Sequence, residues 1–165
     1  MRILLVKPKS RLRTVRGLEA FTLLEPLELG YLAAAVPPGH DLRIVDLRLE
    51  RFPNRAFRGA LSAFRPNLIG ITGYTHEASA IKSLAAMAKG QRPEAAVVVG
   101  GHHASVAPAD LNTESIDAIV RGEGCGPFRS IVQTLEHKTE LGSIPGVLAT
   151  GAAFAQATAC GWPAV

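Results

Sequence analysis

The sequence has little cysteine, few aromatic residues and no long apolar run. Cysteine occurs only at Cys125 and Cys160, which is too few for a disulfide framework and is typical of a reducing compartment. The apolar run at the amino terminus ends at Lys7, too early for the core of a signal peptide, and no run reaches membrane-spanning length. These absences predict a cytoplasmic protein that does not enter a membrane.

Aromatic residues make up 5% of the chain and hydrophobic residues 47%, so the core is expected to consist of Leu, Ile, Val and Ala. The net charge of +4 is modest, but five cations crowd the segment from Lys7 to Arg16. This segment is either a solvated basic loop or a contact for an anion such as a phosphate or an acidic partner. No aromatic residue interleaves the cations as a stacking platform requires, which argues against nucleic acid.

Apolar segments with the length of buried strands alternate with segments of helical periodicity. Strands are predicted at 2–6, 42–47, 67–71, 97–99 and 117–120, and helices at 26–36, 56–64, 77–89 and 127–137. Right-handed crossovers between such strands place helices on both faces of a parallel sheet. The pattern therefore predicts a flavodoxin-like, doubly wound α/β domain with a five-stranded parallel sheet.

This predicted domain covers residues 1–140, and the alternating pattern decays after it. Residues 144–148 have the composition of one added strand, whereas residues 151–165 are rich in alanine and show no periodicity. The tail at 141–165 is expected to be the start of a following domain that is cut short.

The prediction of a binding site is based on the segment 96–111. Three valines form a buried strand that ends at Gly100 and Gly101, and a polar turn at 102–105 follows. Ligands of open parallel sheets bind outside the carboxyl ends of the strands, and adjacent glycines remove the side chains that would keep a ligand away. Thr72 and Gly73 end the neighbouring strand with small residues as well, so the sequence predicts a slot at the tips of the middle strands.

Several usual occupants of this fold lack their motif here. A dinucleotide needs glycines in the first turn, and that turn is Lys7-Pro8-Lys9-Ser10. A phosphate-accepting receiver needs acidic residues where Lys7 stands, and flavin-binding loops rich in Thr and Ser are missing. A corrinoid remains, and two alternatives stay open: a nucleotide or other small molecule in the same groove, and a module that only docks a partner.

A set of short motifs in a fixed order carries a family resemblance. They are LELGYLAAA at 27–35, GHD at 39–41 with VD at 45–46, PNLIGIT at 66–72, VVVGG at 97–101 with HA at 103–104, and DAIVRGEG at 117–124. Together they resemble the cobalamin-binding domain found at the amino terminus of many radical S-adenosylmethionine enzymes. The resemblance covers about residues 1–140 and implies that the chain binds cobalamin in the predicted slot.

The resemblance also implies which residues contact the cofactor. The candidates follow three strands: Thr72, Gly73, Tyr74, Thr75 and His76; Gly100, Gly101, His102 and His103; Gly122, Glu123 and Gly124. In the family, the segments that correspond to 72–74 and to the glycine pair line the pocket of the nucleotide tail. Thr75, Ser105 and the backbone of the 122–124 turn are neutral partners for corrin amides. No protein ligand to a metal is expected, because the adjacent histidines point in different directions and no set of His, Cys and carboxylates has the spacing of zinc ligands. No catalytic residue is expected either.

The sequence lacks two motifs that related proteins carry. Methionine-synthase-like domains have a D-x-H-x-x-G motif whose histidine ligates cobalt, but this chain has no histidine before His40. The cobalt is therefore expected to lack a lower ligand from a protein histidine. Radical S-adenosylmethionine enzymes hold an iron–sulfur cluster with C-x-x-x-C-x-x-C, which two distant cysteines cannot supply. The chain is thus expected to present cobalamin, most commonly for methyl transfer, to a catalytic domain that is missing here in cis or supplied in trans. S-adenosylmethionine and the cluster would belong to that domain.

Overall fold

The computed structural model of the protein describes residues 1–9, 25–137 and 141–151. The strands are β1 (Arg2–Lys7), β2 (Asp41–Asp46), β3 (Leu68–Thr72), β4 (Ala96–Gly100), β5 (Ala118–Val120) and β6 (Val147–Ala149). The helices are α1 (Leu27–Ala35), α2 (Pro53–Phe64), α3 (Ala78–Gln91), α4 (His102–Val106) and α5 (Cys125–His137). Short 3-10 turns lie at Leu47–Leu49, Thr75–Glu77, Pro108–Leu111 and Leu141–Ser143.

The strands form one sheet in the order β2-β1-β3-β4-β5-β6. The first five strands are parallel, and their order is that of a flavodoxin-like sheet. The predicted fold class is confirmed. The carboxyl ends of the parallel strands meet at one edge of the sheet, which places the predicted loops together.

The predicted count of five strands is wrong, because β6 adds a sixth strand to the edge of the sheet. It runs antiparallel to β5, with Leu148 opposite Ile119, and Gly146 turns the chain into it with a φ of +81°. The side chains of Val147 and Leu148 are buried in the core. β6 lies in the segment that the sequence interpretation assigned to the tail, and it overlaps residues 144–148, whose composition indicated one added strand.

Alternation along β1 shows how the two cores arise, since successive side chains of a strand point to opposite faces. Leu4 and Val6 join the core beneath α2 and α3, and Ile3 and Leu5 join the core beneath α1 and α5. The cores are mainly aliphatic, as the composition predicts, and phenylalanines on α2 and α5 supplement them.

Two local elements differ from their predicted form. Helix α2 starts at Pro53 rather than at Ala56, since proline fits the first turn of a helix. The predicted polar turn at 102–105 is the short helix α4. The part of the basic segment from Ser10 to Arg16, and Cys160, lie outside the described residues. Within the described ranges, no helix is long and apolar enough to cross a membrane.

Candidate functional site

A cavity of about 410 Å³ lies between the carboxyl half of the sheet and the helices α1 and α5. This volume is within the usual range of small-molecule sites. Strands β3 to β5 and the loops after β4 and β5 form the rest of the wall. The lining residues are Glu28, Leu29, Tyr31, Leu32, Gly70, Ile71, Thr72, Val98, Gly100, Gly101, Val120, Gly122, Glu123, Gly124, Cys125 and Phe128.

The cavity exists partly because two glycines replace side chains on neighbouring strands. Gly70 of β3 pairs with Val98, and Thr72 pairs with Gly100. A Cβ at Gly70 would lie 2.8 Å from Leu5 Cδ2, so the floor of the cavity leaves no room for a side chain there. A Cβ at Gly100 would lie 3.7 Å from the Cβ of Val120, which is ordinary contact. A longer side chain at Gly100 would therefore fit the backbone and occupy space at the cavity wall.

The interior of the cavity wall is apolar apart from a single hydroxyl. The buried side chains on this face of the sheet are those of Leu29, Thr72, Val98, Val120 and Phe128, whereas the side chain of Ile71 belongs to the core on the opposite face. Thr72 is 7% exposed, and its hydroxyl makes no hydrogen bond with a residue that the structure describes. The carboxylates of Glu28 and Glu123 and the phenol of Tyr31 belong to exposed residues at the cavity mouth. A flat apolar ligand in this cavity would therefore contact apolar side chains and one unpartnered polar group, the hydroxyl of Thr72.

The backbone conformation at position 101 requires glycine. Its φ is +94°, a conformation that residues with a side chain rarely adopt. A Cβ at Gly101 would lie 2.6 Å from the hydroxyl oxygen of Thr72 and 3.0 Å from the amide nitrogen of Gly73. The two glycines of the pair therefore differ, since only Gly100 has room for a side chain.

Ser105 connects the loops that follow β4 and β5. Its hydroxyl accepts a hydrogen bond from the Gly122 amide at 2.9 Å and donates one to the Gly101 carbonyl at 3.2 Å. The hydroxyl that the sequence suggested for a corrin amide is therefore already engaged in shaping the cavity mouth.

Glu123 caps the amino terminus of α5. Its carboxylate accepts hydrogen bonds from the amides of Cys125 at 2.6 Å and Gly126 at 3.2 Å. These amides lower the pKa of Glu123, the bond from Cys125 having the larger effect. Burial and the neighbouring carboxylate raise the pKa of the Cys125 thiol, so Cys125 is a neutral part of the wall.

Three exposed rings lie together on the loops after β3 and β4. The rings of Tyr74 and His76 stack at 5.9 Å between centroids, and the ring of His102 lies 6.0 Å from that of Tyr74. Tyr74 is 53% exposed, and Thr75 beside it is exposed as well. These side chains do not line the cavity; they form a surface at the same edge of the sheet.

His103 points into the protein, away from the exposed rings. It is 3% exposed, and its Nε2 lies 3.0 Å from Asp110 Oδ2, while its Nδ1 has no hydrogen-bond partner among the described residues. Asp110 also accepts a hydrogen bond from Lys82 at 2.8 Å. The hydrogen bonds from Lys82 and His103 lower the pKa of Asp110. The adjacent histidines therefore point apart, as expected, and His103 fastens α4 to the turn that follows it.

A buried cation at the end of β1 joins α1 to the loop after β3. The Nζ of Lys7 lies 3.1 Å from Glu28 and 3.7 Å from Glu77, and the Glu77 carboxylate accepts the Tyr74 amide at 2.9 Å. Lys7 and Glu77 are 4% and 3% exposed. Sequence reasoning placed Lys7 in a basic loop, although its position directly after a buried apolar strand was a signal of burial.

Half of the candidate site residues line the cavity. These are Thr72, Gly100, Gly101, Gly122, Glu123 and Gly124. Gly73, Tyr74, Thr75, His76, His102 and His103 lie beside it without lining it. The sequence analysis missed the wall from α1, the floor at Gly70 and the ring of Phe128 on α5. Leu29, Leu32 and Phe128 follow helical periodicity, so sequence could assign them to a buried face but not to a cavity.

Comparisons with known proteins relate the chain to corrinoid proteins and methyltransferases. The profile of the B12 binding domain matches residues 13–132. An uncharacterized methyltransferase of Pyrococcus horikoshii is 35% identical over 151 residues, which are 89% of this chain and 32% of the relative. Hopanoid C-3 methylase of Methylococcus capsulatus is 31% identical over 153 residues, covering 90% of this chain and 28% of the relative.

The solved structure of TsrM from Kitasatospora setae has the same fold. This radical S-adenosylmethionine methyltransferase, with tryptophan substrate and an analog of S-adenosylmethionine bound, superposes with a TM-score of 0.74 at 18% identity. The superposition covers 92% of this chain and 28% of TsrM.

The matches agree on the extent and the kind of domain. The chain spans about a third or less of the relatives that it matches. The family profile covers most of the chain, including all strands from β2 to β5. The resemblance seen in the sequence is confirmed: the chain belongs to the B12-binding domain family.

Proposed function

We propose that this domain binds cobalamin with its nucleotide tail in the cavity and presents it to a radical S-adenosylmethionine active site for methyl transfer. The observation that carries the proposal is the apolar cavity beside Gly70 and Gly100, with the unpartnered hydroxyl of Thr72 in its wall. When bound, cobalamin supplies a cobalt atom that can carry and release a methyl group.

The shape and polarity of the cavity suit the nucleotide tail. The base of that tail is flat and largely apolar, and it would lie among the buried side chains of Leu29, Val98 and Phe128. Burying such a surface is favourable because it removes apolar area from water. The Thr72 hydroxyl would donate a hydrogen bond to the base, and burial of an unpaired polar group would thereby be avoided.

The exposed side chains around the mouth would support the corrin ring. Tyr74, His76 and His102 offer ring faces on one side of the opening. The 122–124 turn offers backbone groups on the other side, since Gly122, Glu123 and Gly124 line the cavity. Gly73 and His103 would hold the neighbouring loops in place, because the His103 amide donates to the Gly73 carbonyl at 3.2 Å.

We further propose that the cobalt has no lower ligand from a protein histidine. His40 precedes the other histidines, and its Nδ1 lies 3.0 Å from the amino-terminal nitrogen and 3.6 Å from Glu136. Both Met1 and His40 lie at the amino ends of their strands, opposite the cavity mouth. The cobalt(II) resonance spectrum of the loaded protein should show no splitting from imidazole nitrogen, and splitting that changes on histidine-specific nitrogen-15 labelling would contradict this.

The reaction partner is proposed from the relatives. Methyltransferases of about three times the length contain a region like this chain, and the chain itself lacks the three-cysteine motif. S-adenosylmethionine and the iron–sulfur cluster would therefore be held by a separate catalytic domain, either in the same polypeptide or in another.

Retention of hydroxocobalamin after desalting tests the proposal. The wild-type protein should retain about one equivalent of colour, and Gly100→Leu should lose most of it while remaining folded, because the added side chain occupies the cavity wall. Gly59→Leu is the matched control, since Gly59 lies on α2 with nothing within 4 Å of its Cβ position. A Gly101→Leu change would be unsuitable for this test, because the backbone at Gly101 excludes a side chain.

A folded wild-type protein that retains no colour would overturn the proposal and favour a module that only docks a partner. Equal retention by wild type and Gly100→Leu would show that the corrinoid binds somewhere other than this cavity.

A further inference from the structure

We infer that a cleft beside α2 binds a phosphate-bearing ligand through three arginines. The cleft has a volume of about 500 Å³, and its lining residues are Arg51, Phe52, Pro53, Asn54, Arg55 and Arg58. Helix α2 packs on the face of the sheet opposite to the cavity, and the cleft and the cavity share no lining residue. The inference therefore concerns a second site and does not depend on the proposed function.

The three arginines of the cleft carry positive charge that the described chain does not neutralise. Arg51, Arg55 and Arg58 are exposed, and none of them forms an ion pair with a residue that the structure describes. Arg55 and Arg58 stand three residues apart on α2, where like charges repel each other. A guanidinium group binds phosphate through paired hydrogen bonds, so a phosphate in the cleft would relieve this repulsion.

The place of these arginines on α2 is unfavourable for the free protein. The first turn of α2 contains Pro53 and no acidic residue, and Phe52 provides no side-chain cap. Cations near the amino end of a helix face the positive end of its dipole, whereas acidic residues are favourable there. A departure from local preference of this kind is expected where side chains serve a ligand.

A fourth cation, Lys9, approaches the loop that leads into α2. Lys9 belongs to the basic segment for which the sequence left an anion contact open, and its Nζ donates to the Glu50 carbonyl at 2.7 Å. Glu50 borders an adjoining cleft together with Arg51 and Arg55, and it is the only carboxylate in the sequence between residues 49 and 58. One carboxylate among four cations leaves the region positively charged.

The dimensions of the cleft define the class of ligand. Its volume is in the range of small-molecule sites, and the ring of Phe52, which is 60% exposed, offers an apolar surface beside the arginines. A phosphate group can reach the cleft on a soluble molecule or on a lipid headgroup. Both present the same anion to the guanidinium groups, and the experiment distinguishes them.

Calorimetric titration with inorganic pyrophosphate at constant ionic strength tests the site. The wild-type protein should bind it, and Arg55→Gln should raise Kd at least about tenfold, because a hydrogen-bonded charge pair is lost. Arg65→Gln is the matched control: it removes the same charge from the exposed residue that follows α2, outside the cleft, and should change Kd little. Gly100→Leu should bind pyrophosphate as the wild type does, since Gly100 belongs to the cavity.

Thermal unfolding separates a binding role of Arg55 from a structural one. Without an anion, Arg55→Gln should unfold at the same or a higher temperature than the wild type, because it removes a cation from the positive end of α2. Pyrophosphate should raise the midpoint of the wild type by a larger interval than that of Arg55→Gln. A lower midpoint for Arg55→Gln without an anion would show that Arg55 supports the fold and would contradict the inference.

Cosedimentation with vesicles identifies the source of the phosphate. Binding to vesicles of phosphatidylcholine and phosphatidic acid, but not to pyrophosphate or to phosphatidylcholine alone, would indicate a lipid headgroup if Arg55→Gln abolishes it and Arg65→Gln does not. Binding of pyrophosphate with the same dependence on Arg55 would indicate a soluble ligand. Absence of binding to both probes would overturn the inference. Equal weakening by Arg55→Gln and Arg65→Gln would also overturn it, because the attraction would then be due to overall charge.

Discussion

At position 101 the backbone conformation and the neighbouring atoms require glycine, whether or not a ligand is bound. The φ of +94° with ψ of −168° is a combination used almost only by glycine. The same residue lines the cavity, so a change there would disturb stability and binding together.

Gly101→Ala should lower the free energy of unfolding by about 1–3 kcal/mol, because alanine in this conformation is strained and its Cβ would press on Thr72. Urea denaturation followed by circular dichroism measures this. Gly90→Ala is the control, since Gly90 lies in α3 with open space at its Cβ position, and it should be neutral or slightly stabilising. Equal stability of the two variants would show that Gly101 is not constrained by the fold.

Glu123 makes the start of α5 sensitive to pH. Its pKa in the folded protein is lower than its ordinary value of 4.5, because amide groups bind the charged form. Ionised Glu123 therefore stabilises the fold above that ordinary value, and its contribution is lost as pH falls through the lowered pKa.

Glu123→Gln should lower the urea midpoint at neutral pH, and the difference from wild type should shrink in acid, where both side chains are neutral. Glu114→Gln serves as the control, because Glu114 is exposed and should change the midpoint little at any pH. A difference for Glu123→Gln that stays constant with pH would contradict the role of its charge.

Among the secondary-structure elements, the contact of β1, α1 and the loop after β3 depends on buried charge. Lys7 bridges Glu28 and Glu77, and Glu77 fixes the Tyr74 amide. This network joins one helix of the cavity wall to the loop that carries the exposed rings. A buried charge that loses its partner destabilises the fold strongly.

Lys7→Met should destabilise the protein by about 3–5 kcal/mol, because the Glu77 carboxylate is left buried without its cation. Lys7→Met combined with Glu77→Gln should recover part of this loss, and a double-mutant cycle in urea measures the coupling. Lys82→Met is the control, since the Lys82–Asp110 pair is solvent-exposed and is worth less than about 1 kcal/mol. Additive effects of the Lys7 and Glu77 changes would exclude the network.

The secondary-structure elements were predicted more accurately from the sequence than the tertiary contacts between them. Strands β1, β3, β4 and β5 were recognisable because an apolar run reports burial within one segment, and the end of β4 was placed within one residue. The partners of Lys7 lie on other elements, so no local pattern could reveal the ion network. The glycine pair at the end of β4 was recognised because it is a local motif. The contribution of Phe128 to the cavity was not recognised, because it depends on contacts between elements that are distant in the sequence.

For the whole molecule, the sixth strand closes the sheet edge beside the cavity. Ile144, Val147 and Leu148 are buried, and the Arg121 amide bonds to the Gly146 carbonyl at 2.9 Å. The loop after β5, which forms part of the cavity mouth, is thereby fastened to the segment that leads into β6.

A chain ending at residue 140 should be less stable than one ending at residue 151, because it exposes β5 and the apolar surface that β6 covers. Thermal unfolding of the two chains gives the comparison, and both lack the same residues beyond 151. Equal midpoints would show that β6 adds nothing to the domain.

The central claim is that the cavity among β3, β4, β5, α1 and α5 receives the nucleotide tail of cobalamin. A crystal structure of the protein with hydroxocobalamin tests it directly. We expect the base inside the cavity, with its free ring nitrogen within hydrogen-bonding distance of the Thr72 hydroxyl. A bound corrinoid whose tail lies outside a cavity closed by the protein's own side chains would contradict the claim.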